Sequence, residues 1–311
     1  MIVTVTPNPA LDITYRVERL VPGTSHRVED VTERAGGKGV NVARTLRCLG
    51  YAVLATGPVG GPAAAAFVAD LAAVGIDTAF VPSPEPTRRS VAIVAGSQAT
   101  LFNEAGHEVP ESVWADLEAV VSSRCGRGDV VVVSGSMPTG APVDLVARLT
   151  RAAGTAGAMM VLDVRGEPLA RSLPLRPAVV APNAEEAHET TGLANPVSAG
   201  RALVAAGAGC AVISRGAAGL VAVPPAGPAL CARLPKPLAG NPTGAGDALK
   251  AAVAARLDGL PTVPDDPVWW SDTLRAAVAW SGAVVLQPVA GVADPTDVAR
   301  LAGEVVIGPC P

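Results

Sequence analysis

Ala239–Lys250 reads AGNPTGAGDALK, and the rest of the chain can be placed around it. Pro242 and Thr243 are helix start signals, and the Ala-rich run from Ala248 to Leu257 can carry the helix on. The first amides of a helix have no intrahelical partner and sit at the positive end of its dipole, so they can seat an anion. Gly244, Ala245 and Gly246 are small enough for a phosphate to approach the main chain. Asp247 follows in the first turn, where a carboxylate could take the proton from a hydroxyl attacking that phosphate. Taken alone, the string is more commonly an ordinary helix start carrying an acidic first turn.

A second glycine cluster lies far upstream, Gly36-Gly37-Lys38-Gly39-Val40-Asn41, and leads into a run through Leu46 with helical apolar spacing that Gly50 ends. Its glycines bring backbone amides near a ligand, and the Asn41 amide offers both a donor and an acceptor.

Composition bounds what such a chain can be. Its 311 residues suit one large α/β domain with a small appendage, since a domain usually takes about 100–200. Aromatics supply only 3% against 49% hydrophobic residues, so the core must be built from Ala, Val and Leu. A net charge of −4 leaves no electrostatic footprint for nucleic acid. Only three lysines, Lys38, Lys236 and Lys250, stand against 21 arginines, which makes each lysine worth inspecting. The five cysteines are scattered, odd in number and without C-x-x-C spacing, a pattern that favours reduced thiols in a cytosolic protein over disulfides or zinc. Met1–Val5 has neither the basic start nor the apolar block of a secretory leader, and no apolar run reaches the roughly 18 residues of a membrane span.

Along the chain, Ile2–Thr6 reads as a buried first strand ending at Pro7-Asn8-Pro9, with Asp12 just beyond. Ligands of open α/β sheets gather at that carboxyl edge. Ile13–Val17, Arg27–Thr32, Ser90–Val94 and Thr100–Phe102 read as short strands that do not form βαβ units. Val53–Thr56, Ala79–Val81, Asp129–Ser134, Met159–Asp163, Val179–Ala181 and Cys210–Ser214 read as strands of the main sheet. Helices are expected between them, over 62–74, 111–122 and 143–156. Leu220–Val223 and Ala229–Leu234 read as edge strands because prolines interrupt them, and Trp269–Leu286 reads as a long helix.

The two glycine segments, with Asn8-Pro9-Ala10-Leu11-Asp12, Thr87-Arg88-Arg89-Ser90, Ser134-Gly135-Ser136-Met137-Pro138 and Pro182-Asn183-Ala184-Glu185-Glu186, resemble the signature segments of the ribokinase-like (PfkB) carbohydrate kinases. The likeness runs from Val3 to about Thr296 and is strongest to the 1-phosphofructokinase and tagatose-6-phosphate kinase branch. It implies a single three-layer α/β/α domain over 1–311 with a mostly parallel sheet, and a small β-sheet lid from segments near 12–34 and 86–104.

It further implies ATP-dependent phosphorylation of a sugar hydroxyl with Mg²⁺. Asp247 would be the base, and the amides of Gly244, Ala245 and Gly246 would hold the transferring group. Asp12, Gly37, Lys38, Asn41 and Ser136 would contact the sugar, and Arg27 and Arg88 its phosphate. Asn183, Ser214, Gly216, Gly219 and Gln287 would surround the nucleotide, with Glu186 orienting magnesium through water. A homodimer through the lid is expected, with neither nucleic acid nor membrane as a partner. Ser25 and Ser90 depart from residues common in relatives, which leaves open which phosphosugar is used, and Ala181 stands where sugar-phosphate members often carry a lysine near the nucleotide phosphates, which leaves those contacts open. A kinase for an unphosphorylated sugar or nucleoside, or a silent sugar-phosphate sensor, are the alternative readings.

Overall fold

A computed structural model describes residues 1–96 and 98–310. A ten-stranded sheet forms the middle layer, in the order Val306–Pro309, Leu230–Arg233, Leu220–Val223, Ala211–Ser214, Val179–Val180, Met159–Asp163, Val130–Ser134, Ile2–Val5, Val53–Thr56 and Asp77–Thr78. The strands from Ala211–Ser214 to Asp77–Thr78 are parallel to one another, and each of the other three is antiparallel to the strand beside it. Val130–Ser134 is buried at every position, as expected of a strand covered on both faces.

Alternate side chains of the first strand feed two separate cores. Ile2 joins one with Val40, Leu46, Ala251, Val253 and Trp270, while Val3 and Val5 join the other with Trp114, Leu117 and Leu149. These are the two helical layers of an α/β/α sandwich.

The helix Ala245–Leu257 lies inside the first core, with Ala248, Ala251, Ala252, Ala254 and Leu257 all buried. Its alanines answer to that position, because small side chains let it pack closely against Lys38–Cys48 and Pro267–Val285.

A separate four-stranded sheet, Asp30–Gly36, Ala10–Val17, Arg88–Ala95 and Gln98–Asn103, stands at the carboxyl edge of the first strand. Asp12 pairs across it with Arg34 on one side and Ser90 on the other. The structure has the three layers, the mostly parallel sheet and the separate small sheet expected from the sequence.

Several local expectations are overturned. Leu220–Val223 and Leu230–Arg233 are interior strands, and the edge belongs to Val306–Pro309. Pro224, Pro225 and Pro228 lie in the connection between the two strands, so they remove no ladder donor. The expected Ala79–Val81 strand divides: Asp77–Thr78 extends the main sheet, while Val81–Ser83 pairs with Pro58–Gly60.

The cysteines are also not all reduced. Cys231 and Cys310, 79 positions apart, form a disulfide with their Cα atoms 5.0 Å apart. Pairing of Leu230–Arg233 with Val306–Pro309 brings them together, a proximity that no spacing in the chain reveals. With that bond the thiol-based argument for a reducing compartment lapses. Cys48, Cys125 and Cys210 are free thiols. Among the described residues, no helix is long and apolar enough to cross a membrane.

Candidate active site

The two glycine segments meet. Asn41 Nδ2 donates to Asp247 Oδ2 at 2.9 Å, across 206 positions of sequence. Asn41 is in the first turn of Lys38–Cys48, and Asp247 in the first turn of Ala245–Leu257. Both helix starts depend on glycine: Gly37 precedes one at φ 106° and Gly244 the other at φ 85°. A Cβ at Gly37 would strike Thr6 Cγ2, and one at Gly244 the Ala290 side chain, so neither position has space for a larger residue.

No side chain caps the start of Ala245–Leu257. Its three small residues are not equivalent, however. Ala245 N–H is turned onto the Pro242 carbonyl at 3.2 Å, which leaves the amides of Gly244 and Gly246 as the donors without a partner among the described residues. Asn241 shapes the turn, accepting from Thr243 N–H at 3.1 Å and donating to the Pro288 carbonyl at 3.2 Å. That second bond ties the loop to the segment carrying the half-buried Gln287.

Asp247 is 6% exposed. Burial pushes its carboxyl up to about 6, against Lys250, which pulls it down; Asp163 adds to the rise, while the Asn41 bond and Lys38 oppose it. Lys250 is 4% exposed and binds Asp163 Oδ1 at 3.0 Å, and Ser134 donates to Asp163 Oδ2 at 2.7 Å. Lys38 Nζ lies 3.7 Å from both Asp163 Oδ2 and Glu186 Oε1. Burial pushes the Asp163 carboxyl up, but Lys250, Lys38 and Ser134 together hold it below the usual carboxylate range. Burial pulls the Lys38 ammonium down, yet Asp163, Glu186 and Asp247 lift it above its ordinary value.

Sequence reasoning missed Asp163, Ser134 and the role of Lys250. The signal for Lys250 was present: one of three lysines in the chain, one helical turn after Asp247. A Cβ added to Gly246 would come within 3.2 Å of Lys250 Nζ, so the ammonium lies against the start of the helix.

Glu186 and Asn183 have a structural task of their own. Asn183 accepts from Glu186 N–H at 2.8 Å and Glu186 Oε2 accepts from Asn183 N–H at 2.9 Å, a capping box on Ala184–Thr191. The other oxygen of Glu186 faces Lys38. Asn183 also bridges to Ser214, at the end of Ala211–Ser214. Beyond it the loop turns through Gly216 at φ 56° and Gly219 at φ 89°, closed by Arg215 N–H to the Gly219 carbonyl at 2.8 Å. Ser214, Asn183, Glu186, Lys38, Asp163 and Lys250 thus form one continuous chain of contacts along the carboxyl edge of the sheet.

On the other side of Asp247 is Asp12. Burial raises its carboxyl to about 6, opposed by Arg88, Arg34 and Arg44 and assisted by Asp247. A Cβ at Gly36 would fall on the Asp12 carboxylate, so the glycine makes the space it occupies. Arg88 donates through Nε to the Asn8 carbonyl at 3.3 Å and through Nη1 to the Glu104 carbonyl at 3.1 Å. Asn8 Nδ2 in turn donates to Ser136 Oγ at 3.3 Å and to the Ala105 carbonyl at 3.0 Å. Arg27 is not brought in. It is exposed on the connection before Asp30–Gly36, with no hydrogen bond or ion pair among the described residues.

Comparison with known proteins shows which family the chain resembles over nearly its whole length. Residues 6–297 match the pfkB family carbohydrate kinase model. A 1-phosphofructokinase of Xanthomonas campestris pv. campestris is 34% identical over 99% of this chain and 98% of its own. Phosphofructokinase-2 from Escherichia coli, solved in complex with fructose-6-phosphate, superposes with a TM-score of 0.86 at 25% identity, covering 97% of this chain and 98% of the other. Arabidopsis thaliana ribokinase, complexed with ribose and ATP, shares the fold at a TM-score of 0.71 and 20% identity, over 97% and 98% of the two chains.

Proposed function

The chain belongs to the pfkB family of carbohydrate kinases, and on that premise we propose that it transfers the γ-phosphoryl group of ATP to a hydroxyl of a ketohexose phosphate. The observation that carries this reading is the Asn41–Asp247 bond. It sets a carboxylate beside the open amides of a helix start and opposite the loop that would hold a sugar.

In this reading the hydroxyl lies between Asp12, Asn41 and Asp247, and Asp247 takes its proton as the phosphoryl group leaves ATP. Amides of Gly244 and Gly246, with Ala245 between them, receive the negative charge on the transferring group, and Lys250 beneath Gly246 adds a fixed positive charge. A loose transition state asks for a base only late in the transfer, so a carboxylate suffices. The nucleotide lies along Asn183, Ser214, Gly216, Gly219 and Gln287. Lys38 reaches toward its phosphates.

Magnesium fits the site in a limited way. Glu186 commits Oε2 to its helix cap, and Oε1, which faces Lys38 at 3.7 Å, is the oxygen that would reach a hydrated cation; no group of three or more acidic, His or Cys side chains forms a protein cage among the described residues. Bound there with the nucleotide, Mg²⁺ would offset phosphate charge.

A phosphorylated substrate is favoured by Arg88, whose guanidinium lies at the mouth of the site beside Asp12. Arg88→Ala should raise the KM for a phosphosugar by about tenfold or more, the loss expected for a charge-assisted hydrogen bond, with little change in kcat. An equal rise for unphosphorylated fructose would show that Arg88 reads no phosphate.

The reading itself is tested by ADP release with fructose 1-phosphate, fructose 6-phosphate, tagatose 6-phosphate, fructose and ribose. Turnover with fructose or ribose alone would replace it with a kinase for neutral sugars. Stabilisation by a phosphosugar without ADP release would replace it with a sensor.

The small sheet reads as a lid that excludes water on closing. Val31, Leu101 and Phe102 are exposed on its outer strands, and apolar side chains in that position suit pairing with a second copy. A homodimer is the expected mass in analytical ultracentrifugation. Replacing Leu101 and Phe102 with Ser should shift it to monomer, and an unchanged dimer would place the interface elsewhere.

A further inference from the structure

Outside the catalytic groups, one cavity stands apart by its charge. It holds about 300 Å³ and is lined by Arg34, Arg44, Arg47 and Cys48, with Val74, Val292 and Gly291 completing the wall. No carboxylate lines it, and Asp247, Asn41, Asp12 and Arg88 are not in its wall, although Arg34 and Arg44 also act on the Asp12 carboxyl from their other side. We propose that this cavity is a second anion site, built to take the dianionic phosphate group of a small metabolite or free phosphate.

The sequence places the three guanidiniums deliberately close. Arg44, Arg47 and Cys48 are at i, i+3 and i+4 of Lys38–Cys48 and so share one face of that helix. Arg34 comes from the neighbouring strand Asp30–Gly36.

Three like charges along one wall repel, most strongly at buried Arg44 and half-buried Arg34, where water screens least; Arg47 is exposed. Asp70 is the carboxylate that pairs directly with these charges, its Oδ2 accepting from Arg44 and from Ala35 N–H, and it lies outside the cavity lining; Asp12 is a second carboxylate near Arg34 and Arg44, also outside the lining. Arg44 is 5% exposed, and its Nε has no hydrogen-bond partner in the structure. Burial and the nearby Arg44 hold the Arg34 guanidinium below its ordinary value. Arg47 spends Nε on the Val74 carbonyl at 3.3 Å and keeps the rest of its fork.

A solvated arginine face is the ordinary reading of such a group in a chain with 21 arginines, but a buried Arg44 with an unsatisfied nitrogen is not solvated. A phosphate dianion satisfies both deficits at once, because a guanidinium fork matches its oxygens two at a time. The volume is at the small end for ligand cavities, enough for a phosphate on a short carbon skeleton.

The test is a titration of the full chain with inorganic phosphate and with glycerol 3-phosphate at fixed ionic strength. It is repeated on an Arg34→Gln/Arg47→Gln variant whose melting confirms that it folds. Phosphate held by the nucleotide site survives in that variant, so the proposal concerns the component that does not. Wild type should need two binding classes, and the variant should lose one or weaken it by about tenfold or more.

A second readout is local. Cys48 is an exposed free thiol on the cavity wall, and phosphate should slow its alkylation in wild type but not in the variant. Binding by glycerol 3-phosphate as well as phosphate would identify a phosphomonoester site, and binding by phosphate alone a free-phosphate site. Identical isotherms for wild type and variant, with Cys48 labelling indifferent to phosphate, would overturn the proposal. It does not depend on the kinase reading, since neither measurement involves turnover.

Discussion

Asp247→Asn should lower turnover by about 10²–10⁴, the range for loss of one general base, while the KM for ATP stays near that of the wild type. The substitution is close to isosteric, and the Asn side chain keeps an oxygen that can accept from Asn41. Folding should therefore be intact, and a melting curve run alongside the assay separates lost chemistry from lost structure. Removing a buried charge should leave stability at neutral pH unchanged or improved.

The wild-type pH profile carries the same argument. Asp247 must be ionised to accept a proton, and its carboxyl is raised to about 6, so kcat/KM should fall as pH drops through about 6. Stability moves in the opposite sense. Between the ordinary carboxylate value of 3.8 and about 6, the folded chain holds a proton that the unfolded chain has released. The stability contributed by the neutral, buried carboxyl is present at acid pH and is lost as pH rises through about 6, and Asp12 adds a second group of the same sign. An Asp247→Asn enzyme with near-normal turnover would remove Asp247 from the mechanism.

Lys250→Met should destabilise the fold by about 3–5 kcal/mol, the usual consequence of removing one partner of a buried ion pair. The partner left behind is Asp163, itself buried and then held only by Ser134 and the half-exposed Lys38. Lys38 is 3.7 Å away rather than 3.0 Å, so its compensation is partial. Adding Asp163→Asn to Lys250→Met removes the orphaned charge and should recover a large part of the loss, which a purely steric defect at 250 would not allow. Urea denaturation of the three variants measures this directly.

Activity carries an independent signature. Lys250 is the main group holding the Asp247 carboxyl down, so its loss should move the acid limb of kcat/KM to higher pH. A Lys250→Met enzyme with wild-type stability and an unmoved limb would show that this lysine supports neither the fold nor the base.

How much could be read in advance varies with how local the cause is. Asp247, Asn41 and the glycines at 37 and 244 were legible because a helix start and a left-handed turn are each specified within a few residues. Val130–Ser134 was legible because a strand buried on both faces must be apolar throughout. Arg27 was named by its distance from Asn41 alone, and the structure leaves it exposed on a loop, because sequence spacing does not fix where a side chain lies once a loop intervenes. The edge strands misled because prolines were counted inside strands when they belong to the turn between them.

Sequence by itself determined the fold family, the two helix starts and the chemical type of the group beside each, because those properties are written in short, contiguous strings. Tertiary structure alone decided that Lys250 pairs with Asp163, that Cys231 joins Cys310, that Asp247 titrates near 6, and that three arginines share a cavity without a carboxylate. Each of these depends on the distance between residues remote in the chain and on how much water is removed around them, and both are set only when the strand order is complete.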